Sequence, residues 1–373
     1  MKIGILTFHC AHNYGAVLQC YALQEMLKNM GYKVEVIDYR PEYLLAPYRK
    51  FSLSRFKRSS LLSIAKACVK EFLLLVKRIR RYNAFQTFIN KRFNLSPTVN
   101  DKSIPSFYDV YIMGSDQIWN PKITKGFDPV YFGFFDFDKG KRKYISYAAS
   151  METKEVDKES KDFFEKALMN FDAVSVRETQ LKTLLQPLTG KNIELVLDPT
   201  LLADKKIWDA IAIRPNINKK YILVYQVRYN VNTIRIARQL AKDINAEIIE
   251  VTSSLRICFS NKSRQCESPE EFLGWIKNAD CVVTTSFHGT AFSIIFNRPF
   301  YCIKLDDEFD TRSASLLKSL GLEYRFIDKK STPTLSPIDY SVANERLSHL
   351  QIQSIDFLSK ALEGYKLYRE KSN

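Results

Sequence analysis

Four histidines in 373 residues, seven cysteines with no CxxC pair among them, and no apolar run approaching 18 residues mark this chain by what it lacks. A helix that crosses a bilayer needs about 18 to 20 consecutive apolar residues, so none is expected. The cysteines, at positions 10, 20, 68, 258, 266, 281 and 302, lie largely in apolar stretches. They read as small core residues in a reducing compartment, not as a disulfide frame or a zinc site. The start, MKIGILTFHC, lacks the basic-then-apolar plan of a cleavable signal, so the expected location is the cytoplasm. No GxGxxG, P-loop, HExxH or EF-hand pattern occurs, which leaves dinucleotide and metal readings weak; no metal and no cofactor is expected. What the chain does have is 46% hydrophobic and 26% charged residues, enough to bury a core in two domains.

The net charge of +15 is concentrated. Between Arg49 and Arg92 there are thirteen Lys or Arg and one acid, Glu71, so this segment carries +12 and the rest of the chain is nearly neutral. At helical spacing Leu61, Ala65, Cys68, Phe72, Val76 and Ile79 form one stripe, and Lys66, Lys70, Lys77 and Arg81 gather opposite. Two readings stand side by side. The helix lies on an anionic membrane surface with its apolar face in the interface, or it packs on the protein with its basic side in water. No nucleic-acid module accompanies Phe51, Phe56 and Tyr82, and no nucleic-acid partner is expected.

The remainder alternates strand and helix. Strands are expected at 2–9, 33–39, 109–116, 143–150, 173–178 and 194–202, then at 221–227, 247–253, 281–287 and 300–304. Helices are expected at 16–31, 231–243, 269–278 and 290–296. The βαβ order implies parallel sheets covered by helices. The fold class is therefore α/β: two Rossmann-like doubly wound domains facing a central cleft, with a basic helical insertion in the first. The domains are 1–205, with insertion 49–92, and 206–335, joined by a hinge at 201–220; a terminal helix occupies 336–373. In such sheets ligands collect at the carboxyl ends of the strands, where backbone amides and helix amino termini gather anions. Polar residues at those ends are the site candidates. They include His9, His12, Asn13, Tyr14, Gly15, Ser115, Asp116, Gln117, Trp119, Asn120, Ser146, Tyr147, Arg177, Glu178, Asp198 and Thr200 in the first half. The second half adds Tyr225, Gln226, Arg228, Ser286, His288, Gly289 and Thr290.

The segments HNYGAVLQCYAL, GSDQIWNP, SYAAS, VSVRE, LDPTLL and NADCVVTTSFHGTAFSIIFNRPF, in this order, resemble the polysaccharide pyruvyl transferase family across roughly residues 1–325. The resemblance implies a GT-B-like fold and transfer of pyruvate from phosphoenolpyruvate to a sugar diol, forming a cyclic ketal and releasing phosphate. Such a donor, carrying a carboxylate and a phosphate, needs cations and aimed N–H groups. On this reading Arg177, Ser286, Phe287, His288, Gly289 and Thr290 form the donor site. His288 holds phosphate or delivers a proton; its plainer alternative is a helix cap or core histidine. Arg177 grips a carboxylate, or pairs with Glu178. Asp116 is the candidate base, with Ser115, Gln117, Trp119, Asn120, Asn13, Tyr14 and Gly15 on the acceptor side. Equally, Asp116 caps a turn and Trp119 is core. Asp198, before a proline, is expected to fix a turn.

One departure stands out. Some relatives carry Arg-Leu-His where this chain has Ser286-Phe287-His288. The missing cation is replaced by Ser286 and backbone amides, or by Lys304, Arg298 or Arg312. Acceptors of surface glycans are commonly built on lipid carriers, so the resemblance also implies a lipid-linked oligosaccharide acceptor. The basic helix would then dock the enzyme peripherally on the inner face of the membrane. The rival readings are a nucleotide-sugar glycosyltransferase and a non-catalytic glycan- or membrane-binding protein.

Overall fold

Strands with near-continuous apolar runs, such as KIGIL, YILVYQ and CVVT, are buried on both faces, as helix-covered parallel sheets require. The structure, a computed structural model, describes residues 1–50, 61–153, 155–252, 254–257, 262–306 and 310–370, and of residues 61–68, 70 and 364–370 the backbone alone. The first sheet contains β1 (Lys2–Leu6), β2 (Lys33–Tyr39), β3 (Leu95–Val99), β4 (Val110–Met113), β5 (Lys143–Ala149), β6 (Ala173–Val176) and β7 (Ile193–Leu195). Their order is β3-β2-β1-β4-β5-β6-β7, parallel throughout. The second contains β8 (Tyr221–Gln226), β9 (Glu247–Thr252), β10 (Ser263–Arg264), β11 (Cys281–Thr284), β12 (Phe300–Ile303) and β13 (Phe326–Ile327). Its order, β10-β9-β8-β11-β12-β13, repeats the same doubly wound plan, with strand order reversing beside β1 and β8.

The carboxyl ends of the two sheets face each other and the halves are joined by one continuous apolar core. Tyr14, which opens helix Tyr14–Asn29 after β1, stacks on Phe272 of the second half with ring centroids 4.3 Å apart. Its hydroxyl donates to the Glu267 carbonyl at 2.9 Å. The segment read as a hinge holds helices Pro199–Leu202 and Lys205–Ile211. Its Trp208 is fully buried between Tyr21 of the first half and Phe292 of the second, with centroids 6.1 and 5.0 Å away. The terminal helix, Ser341–Glu370, crosses back to the first sheet. There Ser354 Oγ accepts from Leu197 N–H at 2.9 Å, and Gln351 donates to the Leu201 carbonyl at 2.7 Å.

The basic segment forms helix Leu61–Arg92, which buries Leu74, Phe85, Phe88 and Ile89 but carries a second, exposed apolar stripe in its earlier half. The basic flank at 51–60 and the side chains of Leu61, Ala65, Lys66, Cys68 and Lys70 lie outside the described residues. In the described part, the apolar stripe faces water: Val69, Phe72, Leu73 and Val76 are 61%, 76%, 49% and 65% exposed. The cationic side faces the protein. Lys77 Nζ donates to the Arg256 carbonyl at 3.0 Å. Buried Arg81 donates to the carbonyls of Thr252 (3.1 Å), Gln265 (3.2 Å) and His12 (3.0 Å), joining loops of both halves. The carbonyls at these loop ends have no strand partner there, and a five-donor guanidinium satisfies three of them at once.

Arg81→Met keeps the aliphatic stem and strips these bonds. A urea titration is expected to show a loss of about 2–4 kcal/mol, since each buried carbonyl left unpaired costs about 1–3 kcal/mol and water recovers part of it.

Candidate active site

The polar residues of GSDQIWNP, VSVRE, LDPTLL and TTSFHG reach one place through the facing strand ends. After β7 the chain turns at Asp198, whose Oδ1 accepts from Thr200 N–H (2.9 Å) and Thr200 Oγ1 (2.7 Å), capping the short helix that follows. The other oxygen, Oδ2, is the centre of the site. Arg177, at the end of β6, donates to it through Nη1. Ser115 Oγ donates to it at 3.4 Å, and His288 Nε2 stands 3.6 Å from it. Asp198 is fully buried. Burial works to raise its carboxyl, but the His288, Arg177 and Thr200 contacts outweigh it and hold the group well below the usual carboxylate range. Arg177, equally buried, is opposed by desolvation yet raised by Asp198, Glu178 and Asp116. It also donates to Glu178 at 3.3 Å and Ser150 Oγ at 3.0 Å.

His288 reaches this cluster from the other half. Helix Phe287–Ile295 begins earlier than its apolar run suggests, because Ser286 caps it by accepting from Gly289 N–H at 3.5 Å and Thr284 Oγ1 takes the Ser286 N–H at 3.0 Å. His288 therefore sits in the first helical turn, where the macrodipole favours anions. Its imidazole lies directly on Gly15; a Cβ at Gly15 would overlap the ring, so a side chain there is incompatible with this approach. Nε2 is buried and has no hydrogen-bond partner among the described residues. A cavity of about 1310 Å³ opens beside this cluster, lined at this end by Arg177, Asp198, Phe287 and Arg312. The Phe287 ring is near two guanidinium groups, 4.8 Å from Arg177 and 5.7 Å from Arg312.

The sequence model of one family, polysaccharide pyruvyl transferase, matches residues 13–307. The chain belongs to this family. Comparison with curated proteins finds no match. Among solved structures, UDP-GlcNAc 2-epimerase from Methanocaldococcus jannaschii is similar at 11% identity, over 95% of this chain and 92% of that one, with a TM-score of 0.44. MnaA of S. aureus, in a co-structure with UDP, shows 12% identity over 94% and 90% with a TM-score of 0.47. The glycosyltransferase SnogD from Streptomyces nogalater shows 10% over 98% and 99%, with a TM-score of 0.43. The chain itself has two facing doubly wound parallel sheets.

Within this family member, Arg177, Ser115, Phe287 and His288 come together. Gly289 and Thr290 are used internally: Gly289 packs on Thr284 and Tyr225, and Thr290 Oγ1 donates to the Ser286 carbonyl at 3.1 Å. The acceptor-side candidates are largely structural. Asn13 caps its helix by accepting from Gly15 N–H at 2.9 Å, and the Tyr14 ring is enclosed between the halves. Trp119 has no ring face to offer a sugar: it is fully buried and stacks on Phe132 at 5.4 Å. Asn120 caps helix Pro121–Thr124 and donates to Gln117 Oε1 at 2.6 Å. Asp116 is half-buried at φ 74°, with its Oδ1 accepting from Gln117 N–H at 2.8 Å. His9 and His12 stay apart, His9 on Asp38 at 2.8 Å and His12 stacked on Phe85. Asp198 was expected to fix a turn and does, but its second oxygen organises the site; nothing in a lone Asp-Pro marks that. Glu152, an acid ending the apolar run after β5, was missed altogether. Its burial, at 2% exposure, is what that apolar context signals.

Asp198→Asn is expected to cost about 3–5 kcal/mol at neutral pH, because it strips the buried Arg177 guanidinium of the nearer of its two carboxylate partners and leaves only Glu178. The sign of the pH effect follows from the depressed carboxyl. Its stabilisation is complete above the unfolded value of about 3.9 and is lost as pH falls toward the lower native value. Thermal melts should thus show wild type and variant converging below about pH 4.

Proposed function

We propose that this protein transfers pyruvate from phosphoenolpyruvate to a pair of hydroxyls on a surface-polysaccharide precursor, forming a cyclic ketal and releasing phosphate. The observation that carries the reading is that Arg177 and His288, more than a hundred residues apart, face one carboxylate oxygen of Asp198, and that Arg177 and Asp198 line a cavity. Asp198 holds the guanidinium in place and faces the imidazole. The donor's carboxylate or phosphate takes the guanidinium and the N–H groups of the first helical turn. His288 Nε2, without a hydrogen-bond partner, delivers a proton to the methylene carbon, so that C3 becomes a methyl group and C2 accepts the first sugar oxygen. Departure of phosphate lets the second hydroxyl close the ketal. Asp116, whose charge bears on Arg177, takes the proton of the first hydroxyl, and that of the second leaves on the departing phosphate.

The test is incubation with phosphoenolpyruvate and free or lipid-linked galactosides. Phosphate release with a ketal-sized mass gain is expected, reduced at least about a hundredfold by His288→Ala, the ordinary scale of a lost general acid. Turnover unchanged in that variant, or tight binding of a nucleoside diphosphate instead of phosphoenolpyruvate, would overturn the reading.

We also propose that the acceptor is lipid-linked and that helix Leu61–Arg92 docks on the membrane. The support is the exposed stripe of Val69, Phe72, Leu73 and Val76, flanked by exposed Arg80. Burying one such large side chain is worth about 1.5–3 kcal/mol. Co-sedimentation with liposomes containing anionic lipid is expected, and Phe72→Ser with Val76→Ser should abolish it. Sedimentation indifferent to anionic lipid, or to these substitutions, counts against docking.

A further inference from the structure

Arg177 alone offers one guanidinium to a donor with two anionic groups, and the arginine that precedes the histidine in some relatives is Ser286 here. Of the cations that might replace it, Lys304 lies with Nζ 5.3 Å over the Phe326 ring, and neither it nor Arg298 lines the cavity. Arg312 does. It stands on helix Asp310–Leu320 of the second half and, like Arg177, lies over the Phe287 ring. Its Nε is buried without a hydrogen-bond partner among the described residues. Its guanidinium forms an ion pair with Glu152 of the first half.

We propose that Arg312 is the second cation of the donor site and that Glu152 covers it until an anionic group of the donor takes its place. This rests on the donor reading above. Three buried carboxylates, Glu152, Glu178 and Asp198, surround two guanidinium groups, Arg177 and Arg312. A further anion is therefore accommodated only when one carboxylate yields its partner or its charge. Asp198 is tied down by Thr200 and Ser115, and Glu178 by a 2.6 Å bond from Ser150 Oγ. Glu152 is held by Arg312. Burial raises its carboxyl above the ordinary value even though Arg312 and Arg177 oppose this, and Glu178 adds to the rise. A carboxyl so raised more readily accepts a proton and releases its cation.

The experiment is calorimetric titration of the full chain with phosphoenolpyruvate and, separately, inorganic phosphate. Arg312→Ala is expected to weaken phosphoenolpyruvate binding about 30-fold, the scale of one lost charged contact, and Arg312→Lys to recover part of it. Glu152→Gln, which removes the competing charge but keeps the shape, is expected to tighten binding of both ligands. Thermal melts establish that each variant is folded. A wild type that binds while Arg312→Ala binds equally well overturns this inference and leaves the donor reading standing. Glu152→Gln weakening binding as Arg312→Ala does also overturns it, since the pair would then be a staple between domains. A wild type that binds neither ligand overturns the donor reading and this inference with it.

Discussion

A carboxylate with no access to water must share its charge, and Asp198 shares it with groups from both halves of the molecule. Arg177 comes from the same sheet, one strand away; His288 comes from the opposite domain. The cluster is therefore complete only when the domains are docked. What docks them is mostly dry: the Tyr14–Phe272 stack, Trp208 between Tyr21 and Phe292, and the returning terminal helix. The polar centre has little to spare energetically, because a buried ion pair roughly balances its own desolvation. Apolar packing supplies the association, and the charges fix its register.

The same division of labour explains the basic helix. Not all of its cations face outward; Arg81 and Lys77 are turned inward, to the carbonyls that end loops of the second domain and of the β1 loop. The helix packs Phe85, Phe88 and Ile89 into the core and leaves the stripe of Val69, Phe72, Leu73 and Val76 in water. Contiguous exposed apolar residues are unusual enough on a soluble surface to demand a partner. This geometry would be costly for a helix that met nothing.

The strands were legible because a parallel sheet buried on both faces writes itself as short apolar runs, and their polar ends marked where a ligand would sit. Arg177 and His288 stood out for this reason. Trp119 misled, since an aromatic beside polar neighbours reads the same whether it covers a sugar or closes a core; only the ring of Phe132, Phe164 and Phe171 around it decides. The facing of helix Leu61–Arg92 was equally illegible. Amphipathicity shows that two faces exist and is silent on which one meets the protein. Asp198 hid behind its turn, because one oxygen does what an Asp-Pro usually does while the other, invisible to local pattern, faces residues 21 positions back and 90 ahead.

The size of the cavity bears on the chemistry. At about 1310 Å³ it far exceeds a three-carbon phosphate ester, so the donor proposed above would leave most of it empty. A ketal-forming reaction passes through a carbon at C2 that water attacks as readily as a sugar hydroxyl does, and only exclusion of water favours the sugar. The acceptor must then fill the space itself. In that case catalysis awaits the second substrate: the proposed donor takes its arginines on binding, but its reacting carbon stays unprotonated until a saccharide large enough to displace the solvent has entered.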